Sequence, residues 1–555
     1  MKTLLLLVAM SSYCLMGCSH QQESKSNEPQ LNVVLISIDS VRRDHLGIYG
    51  HRPRYAPEVA VSPHIDALAQ EGVVFDDAFS TSSWTLPAHA ALMTGRSDVA
   101  HGVQTDRFQI DPLHQTLAQA FSAEGYSTAG YYSGPYLGDK YGFDAGFDDY
   151  RSGMINNDEF LDMVIDENAK LKAAGRDPMD PQMISQMRDR MSHWDITSPK
   201  INKLASDFIE EADDDPFFLF VHYFDAHYDH LPASINPELA KKFDPSYSGD
   251  FDSVNWYFDP RVMDTRPPYE RKISERDLNH VIAFYDAEIN WVDHHIGALI
   301  AQLKAKGLWE TTVIMIVADH GDEFFEHNSI GHRSTLFAEQ VRIPMVLRAP
   351  NMARAGSRVS NISRIYDVAP TLLDIASNAS LANAEGESLS GDLNGETIVR
   401  SAFQNIFSGG HRRSHQLNIS DGWRNAQFSV LRSFRYDQKN STDQYINAIP
   451  LLQRATNTPY LVFDRQADPA EHTPLLATNP LYKLALKQYA QAFSQRNEYL
   501  SSVKHSSLDA CKISSLSAEE NHILSQLGYG SSSTEEEADF DIMAIRLGNL
   551  PGISD

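Results

Sequence analysis

Three apolar runs, each closing on a side chain able to bind a cation, constrain this chain more than any other feature. Asn32-Val33-Val34-Leu35-Ile36-Ser37-Ile38 is nearly all apolar, rich in β-branched residues, and ends at Asp39. Thr312-Val313-Ile314-Met315-Ile316-Val317-Ala318 ends at Asp319, and Pro216-Phe217-Phe218-Leu219-Phe220-Val221-His222-Tyr223 leads into Asp225 and His227. A run with no polar alternation has no face to show to water, so it suits a strand covered on both sides. Helical patterns lie between the runs. From His280 to Lys306, residues Ile282, Ile289, Val292, Ile296, Leu299, Ile300 and Leu303 fall at helical spacing. The alternation predicts an α/β fold with a doubly wound, mostly parallel sheet. Sites in such sheets gather beyond the carboxyl ends of strands, so Asp39, Asp319 and the segment from His222 to His227 are expected to converge. A single Asp at a strand end is more often a loop or cap residue.

Beyond about Ser401 the apolar stretches shorten, as in Phe428-Ser429-Val430-Leu431 and Tyr460-Leu461-Val462-Phe463, and a helical segment runs from Leu481 to Ser494. This predicts a smaller α+β C-terminal subdomain. The Ser-rich and Glu-rich stretch from Ser531 reads as a loosely ordered tail. At the other end, Lys2 precedes an apolar run from Leu4 to Met10, followed by Leu15-Met16-Gly17-Cys18. The run is too short for a comfortable membrane span. Its end resembles a bacterial lipoprotein lipobox, which implies cleavage before Cys18 and acylation of that thiol. The expected division is a lipoprotein signal peptide over 1–17, a tether over 18–30, a catalytic domain over 31–400, a C-terminal subdomain over 401–500 and a partly disordered extension over 501–555. A lipid on Cys18 places the mature chain on a membrane of the bacterial cell envelope, expected to be the outer membrane, facing the periplasm or the exterior.

The formal net charge of -27 argues against nucleic acid as a partner, because nothing on average neutralises its phosphates. An anionic substrate must then meet a local positive site, such as a bound metal. The only cysteines are Cys14, Cys18 and Cys511, so cleavage leaves one acylated and one ordinary cysteine, and the mature chain cannot form a disulfide within itself. Cys511 reads as a stray thiol.

The most informative stretch is Ser83-Trp84-Thr85-Leu86-Pro87-Ala88-His89-Ala90-Ala91-Leu92-Met93-Thr94-Gly95-Arg96. It combines a hydroxyl-bearing turn, a Pro near a helix start, a short apolar helix and a Gly stop. Thr85 fits two roles: a helix N-cap, or an oxygen nucleophile at a helix N-terminus, where amides and dipole favour negative charge.

The same stretch resembles the sulfatase signature, in which Ser-x-Cys-x-Pro-Ser-Arg leads into a short helix. Further segments resemble the sulfatase family of the alkaline-phosphatase superfamily. Asn32 to Gly50 is similar to its opening strand and metal-binding turn. Ala318-Asp319-His320-Gly321-Asp322-Glu323, with Glu326-His327 and Gly331-His332, is similar to its second metal segment. Phe218 to His227, Tyr285 to Ile289, Asp367 to Leu373 and Leu524 to Tyr529 complete the series in the family's order.

The resemblance implies a metal-dependent hydrolase of sulfate or phosphate esters with one divalent ion, held by Asp39, Thr85, Asp319 and His320. Ser40 stands where many members place a second Asp. Having His320 where sulfatases often use Asn leaves manganese, zinc and calcium all open. His227 and His332 are the implied catalytic and substrate-binding histidines, and His89, standing where sulfatases place Arg, is a further substrate-binding candidate. Ser133-Gly134-Pro135 offers no Lys where some members carry one. The main departure is Thr85 at the position that sulfatases oxidise to formylglycine. Its β-carbon bears a methyl group and cannot become that aldehyde, so an unmodified hydroxyl must act. A Thr sulfate has no route of collapse to an aldehyde, whereas a Thr phosphate is opened by water at phosphorus, which favours phosphate or phosphonate esters. Two other readings stay open: a transferase passing a phospho-alcohol group to an envelope glycan or lipid, and a non-catalytic binding lipoprotein. The excursion from Ala233 to Arg271, with Tyr247, Trp256, Tyr257 and Tyr269, reads either as a wall of the substrate pocket or as a packed surface segment.

Overall fold

Burial on both faces decides where the three runs go. In the computed structural model of the chain, β1 (Asn32–Ile38), β5 (Phe217–Tyr223) and β6 (Thr312–Ala318) are buried at every position. They lie side by side, β1 pairing in parallel with β5 on one edge and β6 on the other. Each large apolar side chain buried there contributes about 1.5–3 kcal/mol, so leaving either face in water would cost more than turn or cap preferences return. The structure describes residues 30–503, 511 and 513, except 104, 156, 180–182, 184–195, 228–236, 252–255, 257–258, 264–270, 412–415, 438–441 and 446–459. The expected signal peptide, Cys18, most of the tether, Tyr257, Tyr269, the segment Leu524 to Tyr529 and the Ser531 tail lie outside the described residues.

The same sheet takes in β2 (Val73–Phe79), β3 (Ser127–Tyr132), β4 (Asp149–Ser152), β9 (Arg342–Ile343), β10 (Met345–Arg348) and β11 (Ser357–Arg364). Its order is β11-β2-β10-β6-β1-β5-β3-β4, with β9 beside β2. Only β9 and β10 run antiparallel to their neighbours, as expected for a mostly parallel sheet. Between the strands, β7 (Glu323–Phe324) and β8 (Ile330–Gly331) form a two-stranded ribbon.

Among the helices, α1 (Pro63–Glu71), α4 (Ser198–Glu211) and α5 (Glu275–Ala305) form one packed group, and α2 (Thr85–Thr94), α3 (Leu117–Ala123) and α6 (Val368–Ser377) another. The helical spacing between His280 and Lys306 marks the greater part of α5. Asp293 on α5 reaches the open N-terminus of α1 and accepts hydrogen bonds from the backbone amides of His64 and Ile65. Burial pushes that carboxyl up to about 7.

The C-terminal strands β12 (Ala402–His411), β13 (Gln416–Arg424), β14 (Phe428–Asp437), β15 (Thr442–Tyr445) and β16 (Tyr460–Asp464) make a separate antiparallel sheet. Helix α7 (Pro480–Ser502) packs on β14 and β16 around Trp423, Phe428, Tyr460 and Tyr489, completing the expected smaller α+β subdomain. Arg424 is fully buried there. It pairs with Glu471 at 2.6 Å and donates to the backbone carbonyl of Leu336 at 2.6 Å, which ties this sheet to the segment after β8. Burial and the nearby Asp111 push the Cys511 thiol up to about 11, which keeps it protonated at neutral pH and suits the stray-thiol reading.

Removing one partner of a buried pair leaves the other charge uncompensated. Arg424→Ala should therefore lower unfolding free energy by about 3–5 kcal/mol in urea titrations, and the double change Arg424→Met with Glu471→Leu should recover most of that loss. A second outcome follows from Asp293. Its folded value of about 7 lies above the unfolded value of about 3.9, so its contribution to stability is complete below the unfolded value and is lost as the pH climbs through the folded one. Asp293→Asn, which cannot ionise, should gain melting temperature relative to the unsubstituted protein as the pH rises through that window.

Candidate active site

Register places the first two ligand-like side chains. Ile38 of β1 pairs with Ala318 of β6 and with Tyr223 of β5, so the residues that follow, Asp39 and Asp319, emerge at the same level from adjacent strands. Both are fully buried. The turn after β1 is strained and braced: Ser40 has φ 57°, its amide donates to Asp319 Oδ1 at 3.1 Å and its hydroxyl donates to Asp39 Oδ1 at 2.8 Å. The Tyr285 hydroxyl on α5 donates to the carbonyl of Ser40 at 2.6 Å and accepts from the amide of Arg42 at 2.8 Å. Arg42 then pairs with Asp44 and, across the site, with Glu326.

The second segment depends on one glycine. A Cβ on Gly321 would lie 2.2 Å from the carbonyl oxygen of Glu339, so only glycine lets the backbone after His320 approach that strand connection. His320 Nδ1 donates to the Gly321 carbonyl at 3.1 Å, which leaves Nε2 as a lone pair directed at the carboxylates. Nε2 lies 3.4 Å from Asp319 Oδ2 and 3.8 Å from Asp39 Oδ1.

Helix α2 brings in the hydroxyl. Of the two roles open to Thr85, the cap is not realised: Trp84 holds the cap position in extended conformation and Thr85 is the first helical residue. Its Oγ1 donates to Asp39 Oδ2 at 3.3 Å and lies 3.4 Å from His320 Nε2. The helix stops where expected, at Gly95, whose φ of 63° and crowding by Leu381 exclude a side chain.

The predicted histidines separate into two kinds. His89 is completely buried, with Nε2 against the Ser37 hydroxyl and Nδ1 against the Thr85 carbonyl, both at 2.9 Å. It stands behind the carboxylates, 3.6 Å from Asp319 Oδ2, and burial holds it down at about 3. His227 and His332 pack at 5.0 Å between ring centroids, and His332 lies 4.4 Å from His320. His332 Nδ1 is held by Asp322 Oδ1 at 2.7 Å, which fixes that ring's orientation. Thus Asp39, Thr85, Asp319, His320 and His332 form one contiguous cluster with His227 at its side. Two members were not singled out from the sequence. Asp322 orients His332, and His222, whose Nε2 lies 3.5 Å from Asp39 Oδ2, was visible only as part of a strand ending. The signal for His222 was its register opposite Ser37, which only the pairing reveals.

Electrostatics favour a cation in this cluster. Burial pushes Asp39 up, and positive charge on the imidazoles around it, His222 first, would more than offset that and hold the carboxyl well below the usual range, which is the stabilisation a cation at this place supplies. Asp319 moves the opposite way, raised by burial and by the charge of Asp39. Two buried carboxylates this close cannot both ionise unaided, and a divalent ion between them removes the conflict. Asp319 Oδ2 is a buried oxygen without a hydrogen bond among the described residues, and burial, aided by His332, lowers His320 to about 4, keeping its lone pair available. Asp39, Asp319 and His320 present ligand atoms within 4.8 Å of one another. The residues therefore fit a divalent metal.

Comparison with known proteins agrees with this arrangement. The sulfatase family profile matches residues 31–379. A ulvan-active sulfatase of Formosa agariphila is 26% identical over 84% of this chain and 81% of its own. The multifunctional alkaline phosphatase superfamily protein PehA of Trinickia caryophylli is 24% identical over 83% of this chain and 94% of its own. The crystal structure of a phosphonate monoester hydrolase of Agrobacterium radiobacter superposes with a TM-score of 0.61 at 21% identity, covering 85% of this chain and 96% of that one. With its buried carboxylate pair, imidazole and helix-terminal hydroxyl at the ends of adjacent parallel strands, the chain belongs to the sulfatase family and is a hydrolase of the alkaline-phosphatase superfamily.

Proposed function

We propose that this chain hydrolyses anionic esters with the Thr85 hydroxyl as nucleophile, preferring phosphate or phosphonate monoesters and diesters to sulfate esters, with one divalent ion held by Asp39, Asp319, His320 and Thr85. The observation that carries the reading is the position of Thr85 Oγ1, at the first turn of a buried helix and within 3.4 Å of both Asp39 and His320. When bound, the ion lowers the pKa of the hydroxyl and offsets charge on a nonbridging oxygen of the substrate.

The chain's own residues supply the rest. The positive end of the α2 dipole at Thr85 favours the negative charge that builds up as Thr85 attacks. Attack by Thr85 Oγ1, its proton lost to solvent beforehand, forms a bond to phosphorus and breaks the bond to the leaving oxygen. His227 and His332, beside one another at the edge of the cluster, protonate that oxygen or hold the charged oxygens in place. Water then attacks phosphorus and frees Thr85. The methyl group on the Thr85 β-carbon bars the aldehyde chemistry of the family's formylglycine members, which supports the preference for phosphorus over sulfur. A relative named as a multifunctional alkaline phosphatase superfamily protein and a structural neighbour that hydrolyses phosphonate monoesters support the same preference.

We further propose that the mature chain is anchored through an acyl group on Cys18, supported by Leu15-Met16-Gly17-Cys18. No described helix is long and apolar enough to cross a membrane.

Hydrolysis of aryl phosphate should exceed that of aryl sulfate once metal is supplied, and Thr85→Ala should lose turnover by at least about 1000-fold with its circular dichroism unchanged. Undiminished turnover in that variant removes Thr85 from the chemistry, and transfer products formed when acceptor alcohols are added would instead mark a transferase. In a bacterial host, labelling with an alkyne fatty acid should tag the protein and be lost in Cys18→Ser; equal labelling of both overturns the anchor.

A further inference from the structure

Arg333 holds a backbone conformation that its residue type disfavours. Its φ is 64°, in the left-handed region where a side chain crowds the backbone and where glycine or asparagine is at home. Glycine takes this region two residues earlier, at Gly331 with φ 71°. Such strain persists only where the surroundings over-determine it, and it gathers at working sites. Here the Arg333 amide donates to the carbonyl of Ser83 at 2.8 Å, which pins the turn after β8 to the segment that enters α2. The guanidinium lies over the Trp84 ring, 4.1 Å from its centroid, and Nη1 donates to the Tyr136 hydroxyl at 3.5 Å.

The strained turn fixes a positive charge at the rim of the site. Arg333 directly follows His332 and rests on Trp84, the residue before Thr85. Trp84 is buried and Arg333 is partly exposed, so the guanidinium is the outer layer of the stack. Stacking uses the flat face of a guanidinium, and the edge is the part that pairs with an oxyanion. Positive charge is otherwise scarce here. Arg42, which also borders the cluster, is spent on Asp44 and Glu326, and burial keeps His89 neutral. In a chain of net charge -27, a cation set in this place against backbone preference marks where negative charge is received. His332 turns to His320, 4.4 Å between ring centroids, whereas Arg333 turns to Trp84 and Tyr136. The ester group belongs to the first direction and the rest of the substrate to the second.

We propose that Arg333 determines specificity by binding a second oxyanion, carried on the alcohol part of the ester, so that the preferred substrates are esters of anionic alcohols. This rests on the ester-hydrolase reading above. A hydrogen-bonded charge pair of this kind discriminates against a neutral analogue by about 10–100-fold.

The test uses the full protein with zinc, manganese or calcium supplied. Phenyl phosphates bearing a carboxylate or a sulfonate at ring position 3 or 4 are compared with those bearing a neutral carbamoyl group there. For at least one charged ester, kcat/KM of the unsubstituted protein should exceed that of its neutral counterpart by about 10–100-fold. Arg333→Gly and Arg333→Asn remove the charge and suit the backbone, so both should lose that preference while their melting temperatures hold level or rise. A residue needed only to brace Trp84 would instead lower the melting temperature and leave the preference as it was. A preference that survives in both variants, or hydrolysis by the unsubstituted protein with no preference at all, overturns the role of Arg333 and leaves the ester-hydrolase reading standing. Hydrolysis of none of these esters overturns both.

Discussion

Two carboxylates, Asp39 and Asp319, sit without solvent at the ends of neighbouring strands, and most of the surrounding structure answers to that fact. Like charges at this range in a low dielectric repel strongly, and one of the pair is driven towards its neutral form. Backbone amides of Ser40 and His320 relieve part of the cost on Asp319, and the Ser40 hydroxyl relieves part on Asp39. The remaining oxygens and imidazole lone pairs converge on one small volume. A cation among them would relieve the conflict without protonating Asp319, which is why the site reads as a metal centre even before any relative is considered.

Holding two turns this close requires cross-links that the strands cannot provide. Tyr285 grips the first turn, Arg42 bridges it to Glu326 in the second, and Gly321 lets the second turn lie against Glu339. The C-terminal subdomain contributes as well. His327 donates to Glu339 on one side and meets the carbonyl of Glu471 on the other, and although burial opposes its charge, Glu339 lifts it to about 9. Arg424 adds the bond to Leu336. The small sheet therefore acts as a buttress for the segment that carries His320 and His332.

The site differs from a formylglycine sulfatase in a coherent way. On the resemblance to the sulfatase signature, Thr85 takes the place of the maturation residue and His89, closed by Ser37 and the Thr85 carbonyl, that of the usual Arg, while a buried imidazole from β5 faces the carboxylates. These residues lie within one cluster, and on the proposed reading Thr85 keeps an oxygen nucleophile in place of the modified group. That pattern fits retention of ester chemistry by other means better than decay of the site.

Much of this was legible in the chain itself. The apolar runs before Asp39 and Asp319 had to be covered strands because they offer no polar face, and their last residues had to emerge on the same side of a parallel sheet. Thr85 could be located, and its inability to become an aldehyde deduced, from its β-carbon alone. Whether Thr85 capped its helix or acted as an oxygen nucleophile was undecided, because both roles use the same hydroxyl at the same helix end; the structure puts Trp84 at the cap and turns the Thr85 hydroxyl to Asp39 Oδ2. His89 and His222 were equally opaque. A histidine's role depends on which nitrogen is free, and that is set by partners more than thirty residues away in the chain, Ser37 for one and Ser133 for the other. Covalent structure and hydrophobic pattern determine which strands form and what chemistry a side chain can perform, while the direction of a lone pair is decided only when distant segments pack against it.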